Sequence, residues 1–127
     1  MFEDDEGPIE RFEWGRFTIA GTIHGEGHLG VGKDIRIIGT TVTEWAERRG
    51  HLLTAKMVTG VLDRGLEVLI IGNGVNGALE VPPDVLKRIR RHGIPDVRVA
   101  ATPQACGLYN RLYREGRAVA LLAHGTC

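Results

Sequence analysis

At 127 residues the chain has the length of one domain, enough to bury about two-thirds of its unfolded surface. Lys plus Arg and Asp plus Glu each total 16, so the formal net charge is zero. That balance argues against charge-driven binding to nucleic acid or to an anionic membrane, and neither is expected as a partner. No apolar stretch nears the roughly 20 residues of a membrane-spanning helix, and the opening MFEDDEGPIE has neither part of a secretory signal. Two cysteines, Cys106 and Cys127, make no disulfide framework and fit a reducing cytoplasm. The expectation is a soluble cytoplasmic domain over residues 1–127, with residues 1–8 flexible.

Taken in chain order, the first half reads as short strands. Ile9–Trp14 and Arg16–Ile19 flank Gly15 as a hairpin, Asp34–Gly39 alternates, and Val42–Trp45 forms a further strand with its indole in the core. Thr54 offers an N-cap for a helix through Arg64, with Met57, Val58, Val61 and Leu62 on one face and Gly65 as its stop. Gly60 inside that stretch disfavours it. Leu66–Ile71 is a continuous apolar strand of the buried, parallel kind. Pro83 opens a helix carrying Val85, Leu86 and Ile89 and closed by Gly93. Val97–Ala101 is a second strand. Thr102 can cap a helix begun at Pro103 and ended at Gly116, and Ala118–Ala123 is a third strand. The fold class is therefore α/β: a β-rich N-terminal half, then a βαβαβ unit whose right-handed crossovers make three parallel strands.

Gly72, Gly74 and Gly77 match the dinucleotide spacing G-x-G-x-x-G after an apolar strand. In such a site the glycine turn opens straight into a helix whose N-terminus holds the pyrophosphate. Here Pro82 and Pro83 delay the helix, and Ala101, Thr102 and Pro103 stand where an acidic ribose ligand belongs. A dinucleotide site is rejected. A hairpin through Asn73-Gly74 or Asn76-Gly77 would have only Ala78–Val81 as its return strand. The glycines are read instead as a loop turning over the sheet edge.

His24-Gly25-Glu26-Gly27-His28 places three metal-ligating types in five residues, but the glycines exclude the helix that would align them. It is read as an exposed connection; a loop metal site with His51 as an outside ligand is the alternative. Lys87, Arg88, Arg90, Arg91 and His92 near a helix C-terminus read as a solvated face that complements the helix dipole.

Three parallel strands would gather Gly72–Gly77, Thr102–Cys106 and His124–Cys127 at one carboxyl rim, where open α/β sheets bind ligands. The candidate ligand-binding residues are Asn73, Gly74, Asn76, Gly77, Thr102, Cys106, His124, Thr126 and Cys127. Cys106 in the first turn of its helix could be held as a thiolate, or it could be a small core residue. His124 could activate Cys127 if the segment folds back. No residue is assigned as catalytic, none as a metal ligand, and no cofactor is expected.

VLIIGNGVNGALEVPPDVLKRIRRHGI, TPQACGLYNRLYREGR and AVALLAHGTC, together with Lys33-Asp34, Trp45 and Gly50-His51, resemble the Mth-type domain of unknown function. Its relatives include an adipogenesis-associated protein and a mitochondrial assembly factor for respiratory complex I. The resemblance runs from about Ile9 onward and implies a compact α/β domain with a β-rich N-terminal part. It implies no reaction, and HGEGH departs from it locally. The functional expectation is a non-enzymatic interaction or assembly protein with an unidentified protein partner. The alternative is small-ligand or anion binding, thiol-dependent in its strongest form, at the carboxyl rim.

Overall fold

Alternating apolar residues between Ile9 and Ile19 build the first sheet. Strand β1 (Phe2–Glu3) pairs with β2 (Ile9–Glu13), which turns at Trp14-Gly15 into β3 (Arg16–Ile19) and then β4 (Thr22–Gly25). All three pairings are antiparallel, and the inward side chains Ile9, Phe12, Phe17 and Ile19 are buried. Phe12 and Phe17 stand opposite one another with ring centroids 4.6 Å apart. Sequence alternation located the middle pair; β1 is too short and β4 too exposed to carry that signal. The computed structural model describes every residue from Met1 to Cys127. The acidic opening makes definite contacts in it: Phe2 packs on the core and Asp4 accepts hydrogen bonds from Arg114 and Asn110.

The second sheet carries the expected βαβαβ unit. Its strands are β5 (Ile35–Ile38), β6 (Thr41–Glu44), β7 (Val68–Gly72), β8 (Asp96–Ala100) and β9 (Val119–Ala123), in the spatial order β6-β5-β9-β7-β8. β7 pairs parallel with both β8 and β9, whereas β5 joins the far side of β9 antiparallel and β6 extends it. Helix α1 (Pro83–Arg91) connects β7 to β8, and α2 (Thr102–Arg114) returns from β8 to β9. The chain steps outward and then back across β7, so right-handed crossovers must set the two helices on opposite faces. The core has that form. Val68, Ile70, Val119 and Leu121 pack with Ala105, Cys106, Tyr109 and Leu112 of α2 and with the first sheet. Leu69, Ile71, Ala120 and Leu122 pack with Val85 and Ile89 of α1, Trp45 and Met57. Burial on both faces is why VLII and VALLA lack polar alternation.

The segment expected as a helix from Thr54 to Arg64 is a 3₁₀ helix over Ala55–Val61, and Thr54 makes no side-chain cap. It still buries Met57, Val58 and Val61, the face that the spacing marked. At Gly60 the Arg36 guanidinium, the movable end of a long side chain, occupies the space a Cβ would take. Trp45 is in the core as expected, donating from Nε1 to the Met57 carbonyl at 2.7 Å. Thr102 is not the cap of α2 either. Ala101 holds that position, and the Thr102 hydroxyl bonds to main-chain groups beyond β7 and β9 instead. No helix is long and apolar enough to cross a membrane.

One buried amide holds the two sheets together through α2. Asn110 accepts from the Ile9 N–H at 2.9 Å and donates to the Ile9 carbonyl at 2.7 Å, satisfying both backbone groups in the core. Orphaning buried polar groups costs more than losing exposed ion pairs. Asn110→Ala should therefore lower unfolding free energy by roughly 3 kcal/mol in a urea titration. Arg114→Ala, which removes an exposed partner of Asp4, should cost far less than the amide does. Equal losses would show that the amide is not the tie.

Candidate functional site

The three parallel strands end level with one another, Gly72 opposite both Ala100 and Ala123. The segments leaving those strand ends therefore meet at one rim, as the sequence suggested. The loop after β7 closes over the HGTC segment after β9 by main-chain hydrogen bonds. Val75 N–H donates to the Thr126 carbonyl at 2.7 Å, while Asn76 and Ala78 both donate to the Cys127 carbonyl at 3.2 and 3.0 Å. His124 N–H donates to the Gly72 carbonyl at 2.9 Å. Thr102 joins all three segments: its hydroxyl accepts from Gly74 N–H at 2.9 Å and donates to the His124 carbonyl at 2.7 Å. The close approach at this point requires the glycine at position 74. Its φ is 105°, and a Cβ there would fall on the Cys127 carbonyl.

The return segment of the loop does not form a hairpin with β7. Leu53 N–H donates to the Glu80 carbonyl and Glu80 N–H to the His51 carbonyl, both at 2.8 Å. That pairing carries His51 to the rim. His51 Nε2 lies 3.3 Å from Cys127 Sγ, and His124 Nε2 lies 3.7 Å from the same sulfur. Asp34 completes the group from the N-terminal side. It directly precedes β5, and the antiparallel pairing of Ile35 with Ala123 sets it against His124. Its Oδ1 accepts from His124 Nδ1 at 2.9 Å and from Gly125 N–H at 3.0 Å, and its Oδ2 accepts from Arg48 Nε at 3.0 Å.

Burial pushes the Asp34 carboxyl up, but the His124 hydrogen bond, the Gly125 amide and Arg48 outweigh it and bring the pKa down to about 2. An ionised carboxylate only accepts, so His124 Nδ1 carries a proton, and in the neutral imidazole it is Nε2, facing the sulfur, that has the lone pair. The donor atoms of His51, His124 and Cys127 all lie within 4.8 Å of one another. Thiol, two imidazoles and an orienting carboxylate can move a proton off sulfur, or hold a soft cation.

The other expected site residues divide sharply. Gly74, Thr102, His124, Thr126 and Cys127 meet at the rim, and Asn76 contributes its backbone amide. Gly77 turns the loop tip beside the Asn73 side chain, whose Oδ1 is buried without a hydrogen-bond partner. Cys106 faces the core on α2, where burial pushes its thiol far up; the helix N-terminus does not make it a thiolate. His24 turns inward, accepting from Val31 N–H at 3.1 Å, and burial lowers its pKa, so it is not an incidental exposed histidine. The basic run on α1 is solvent-exposed.

Sequence reading missed Asp34, Arg48 and the place of His51. The signal for Asp34 was its position at the start of an alternating strand, but nothing local says that this strand lies beside β9.

Two measurements test the rim. The Asp34 carboxylate keeps its charge to about pH 2 in the fold, against the usual value near 3.9 when unfolded, so its stabilisation is complete above about pH 5 and fades as pH falls through that window. Asp34→Asn should cost about 2 kcal/mol near neutral pH. The gap from the parent should close toward about pH 2; a gap constant with pH would refute the pairing. In hydrogen exchange, Gly74→Ala should expose the Asn76 and Ala78 amides while the amides of β7 and β9 keep their protection. Unchanged exchange at Asn76 and Ala78 would mean that they do not hold the Cys127 carbonyl.

Residues 9–124 match the family described as protein of unknown function (DUF498/DUF598). A mouse protein named NADH dehydrogenase (ubiquinone) 1 alpha subcomplex assembly factor 3 is 31% identical over 83 residues, covering 64% of this chain and 44% of that protein's length. Among solved structures, a conserved hypothetical protein, PH1505, from Pyrococcus horikoshii OT3 has a TM-score of 0.75 at 22% identity, covering 94% of this chain and 98% of the other. A Bartonella henselae protein described as an outer membrane protein also has a TM-score of 0.75, at 26% identity, covering 94% and 95% of the two chains. The sequence match over nearly the whole chain, on a fold shared with these structures, makes this protein a member of the DUF498/DUF598 family of unknown function, in accord with its Mth-type resemblance.

Proposed function

We propose that the chain is a non-enzymatic interaction or assembly domain that acts by binding another protein, in a reducing compartment such as the cytoplasm. The observation that carries this reading is a set of exposed apolar side chains on and beside the first sheet. Trp14, Ile23 and Leu29 are all exposed, and main-chain bonds from Glu26 to Gly15 and from Gly25 to Leu29 bring their segments together. An exposed Trp is the type of side chain that anchors protein interfaces. The name of the mouse relative, an assembly factor, supports the same class of role.

Small-molecule or anion binding at the rim is the competing reading. The amides that would hold an anion there, from Val75, Asn76 and Ala78, are already engaged by the Thr126 and Cys127 carbonyls. That weighs against it. Affinity capture with the intact protein from its own cells should recover a reproducible partner. Trp14→Ala should reduce the recovery by about tenfold or more. Absence of any reproducible partner under gentle washing, or equal recovery by the variant, would remove the reading.

A further inference from the structure

We propose that His51, His124 and Cys127 form a Zn²⁺ site, with Asp34 as the carboxylate that orients one of its ligands. The donor set is two imidazoles and one thiol, and this borderline-soft combination suits Zn²⁺ far better than Mg²⁺ or Ca²⁺. Tetrahedral Zn²⁺ with Zn–S of about 2.3 Å and Zn–N of about 2.0–2.1 Å spaces sulfur and nitrogen about 3.6 Å apart. The observed separations, 3.3 Å to His51 and 3.7 Å to His124, bracket that spacing. All three donor atoms fall within 4.8 Å, and exposed His51 is free to make the remaining adjustment.

Two features separate this arrangement from a chance cluster. Asp34 accepts the Nδ1 proton of His124, leaving Nε2 as the free donor, the carboxylate–histidine pairing that supports zinc ligands. The ligand backbones are also fixed beforehand. The loop after β7 holds the Cys127 carbonyl through Asn76 and Ala78, and holds the His51 carbonyl through Glu80. A thiol nucleophile explains less. It needs one base rather than two imidazoles on the sulfur, and it needs free amide donors for an oxyanion, which this loop does not offer. On binding, the Cys127 S–H proton leaves to solvent and the thiolate coordinates the ion. Three protein ligands leave the fourth position to water or to a side chain from a partner.

Co²⁺ titration of the reduced, metal-free full chain provides the test. One equivalent should give a thiolate-to-Co²⁺ charge-transfer band with the intense visible bands of tetrahedral coordination, and Zn²⁺ should abolish both. Cys127→Ser should lose the charge-transfer band, and Cys106→Ala should keep it. His51→Ala, at an exposed position, should weaken affinity at least tenfold without disturbing far-ultraviolet dichroism. Asp34→Asn should weaken it by about 10–100-fold. No band at stoichiometric Co²⁺, a band that survives Cys127→Ser, or unchanged affinity in His51→Ala would overturn the proposal. So would rapid alkylation of Cys127 that saturating Zn²⁺ does not slow, the behaviour of a free nucleophile.

Discussion

The main-chain hydrogen bonds between the loop after β7 and the segment after β9 govern everything at the rim. Without them, His124 and Cys127 would belong to a trailing segment, and their imidazole and thiol would have no fixed relation. With them, the backbone of both residues is held at several points, and the side chains converge as a consequence. The same bonds explain the composition of the loop. A sequence rich in glycine and asparagine lets consecutive amides point inward at carbonyls and lets the chain approach closely at position 74. The glycines that imitate a dinucleotide fingerprint bind the protein's own backbone.

The parallel arrangement makes that possible. Three strands ending level bring together stretches far apart in sequence, and the antiparallel addition of β5 supplies Asp34 from the opposite direction. The rim is thus built from both halves of the chain. This placement sets its electrostatics: Arg48 and the Gly125 amide hold the Asp34 charge, and that charge fixes the tautomer of the adjacent imidazole.

How much was legible in the sequence depended on how local the cause was. The runs VLII and VALLA, the proline at the start of α1, and Pro103 and Gly116 at the two ends of α2 gave the βαβαβ unit to within a residue or two. The hairpin around Gly15 was equally plain. Thr102 was found but given the wrong task, because a Thr before Pro suggests a cap and nothing nearby reveals the carbonyl of His124. Cys106 illustrates a different failure. Position near a helix N-terminus favours a thiolate only when the sulfur is reachable, and the burial that decides this comes from β7 and the first sheet. The place of His51 at this rim was beyond local reading, which set it only as an outside ligand to the HGEGH loop. His51 comes to the rim through a bridge to the segment around Glu80, and it meets a cysteine 76 residues away.

The strand at the centre of the second sheet is β9, which comes after the other four in sequence yet is inserted between β5 and β7. During synthesis, therefore, β5–β6 and β7–β8 must wait as two separate halves, each with an unsatisfied edge facing the gap. The first sheet waits as well, since its amide tie to α2 spans 101 positions. Closure comes only when that strand leaves the ribosome, in a single late and highly non-local step. A nascent chain stalled shortly before that point would present unpaired strand borders open to other chains.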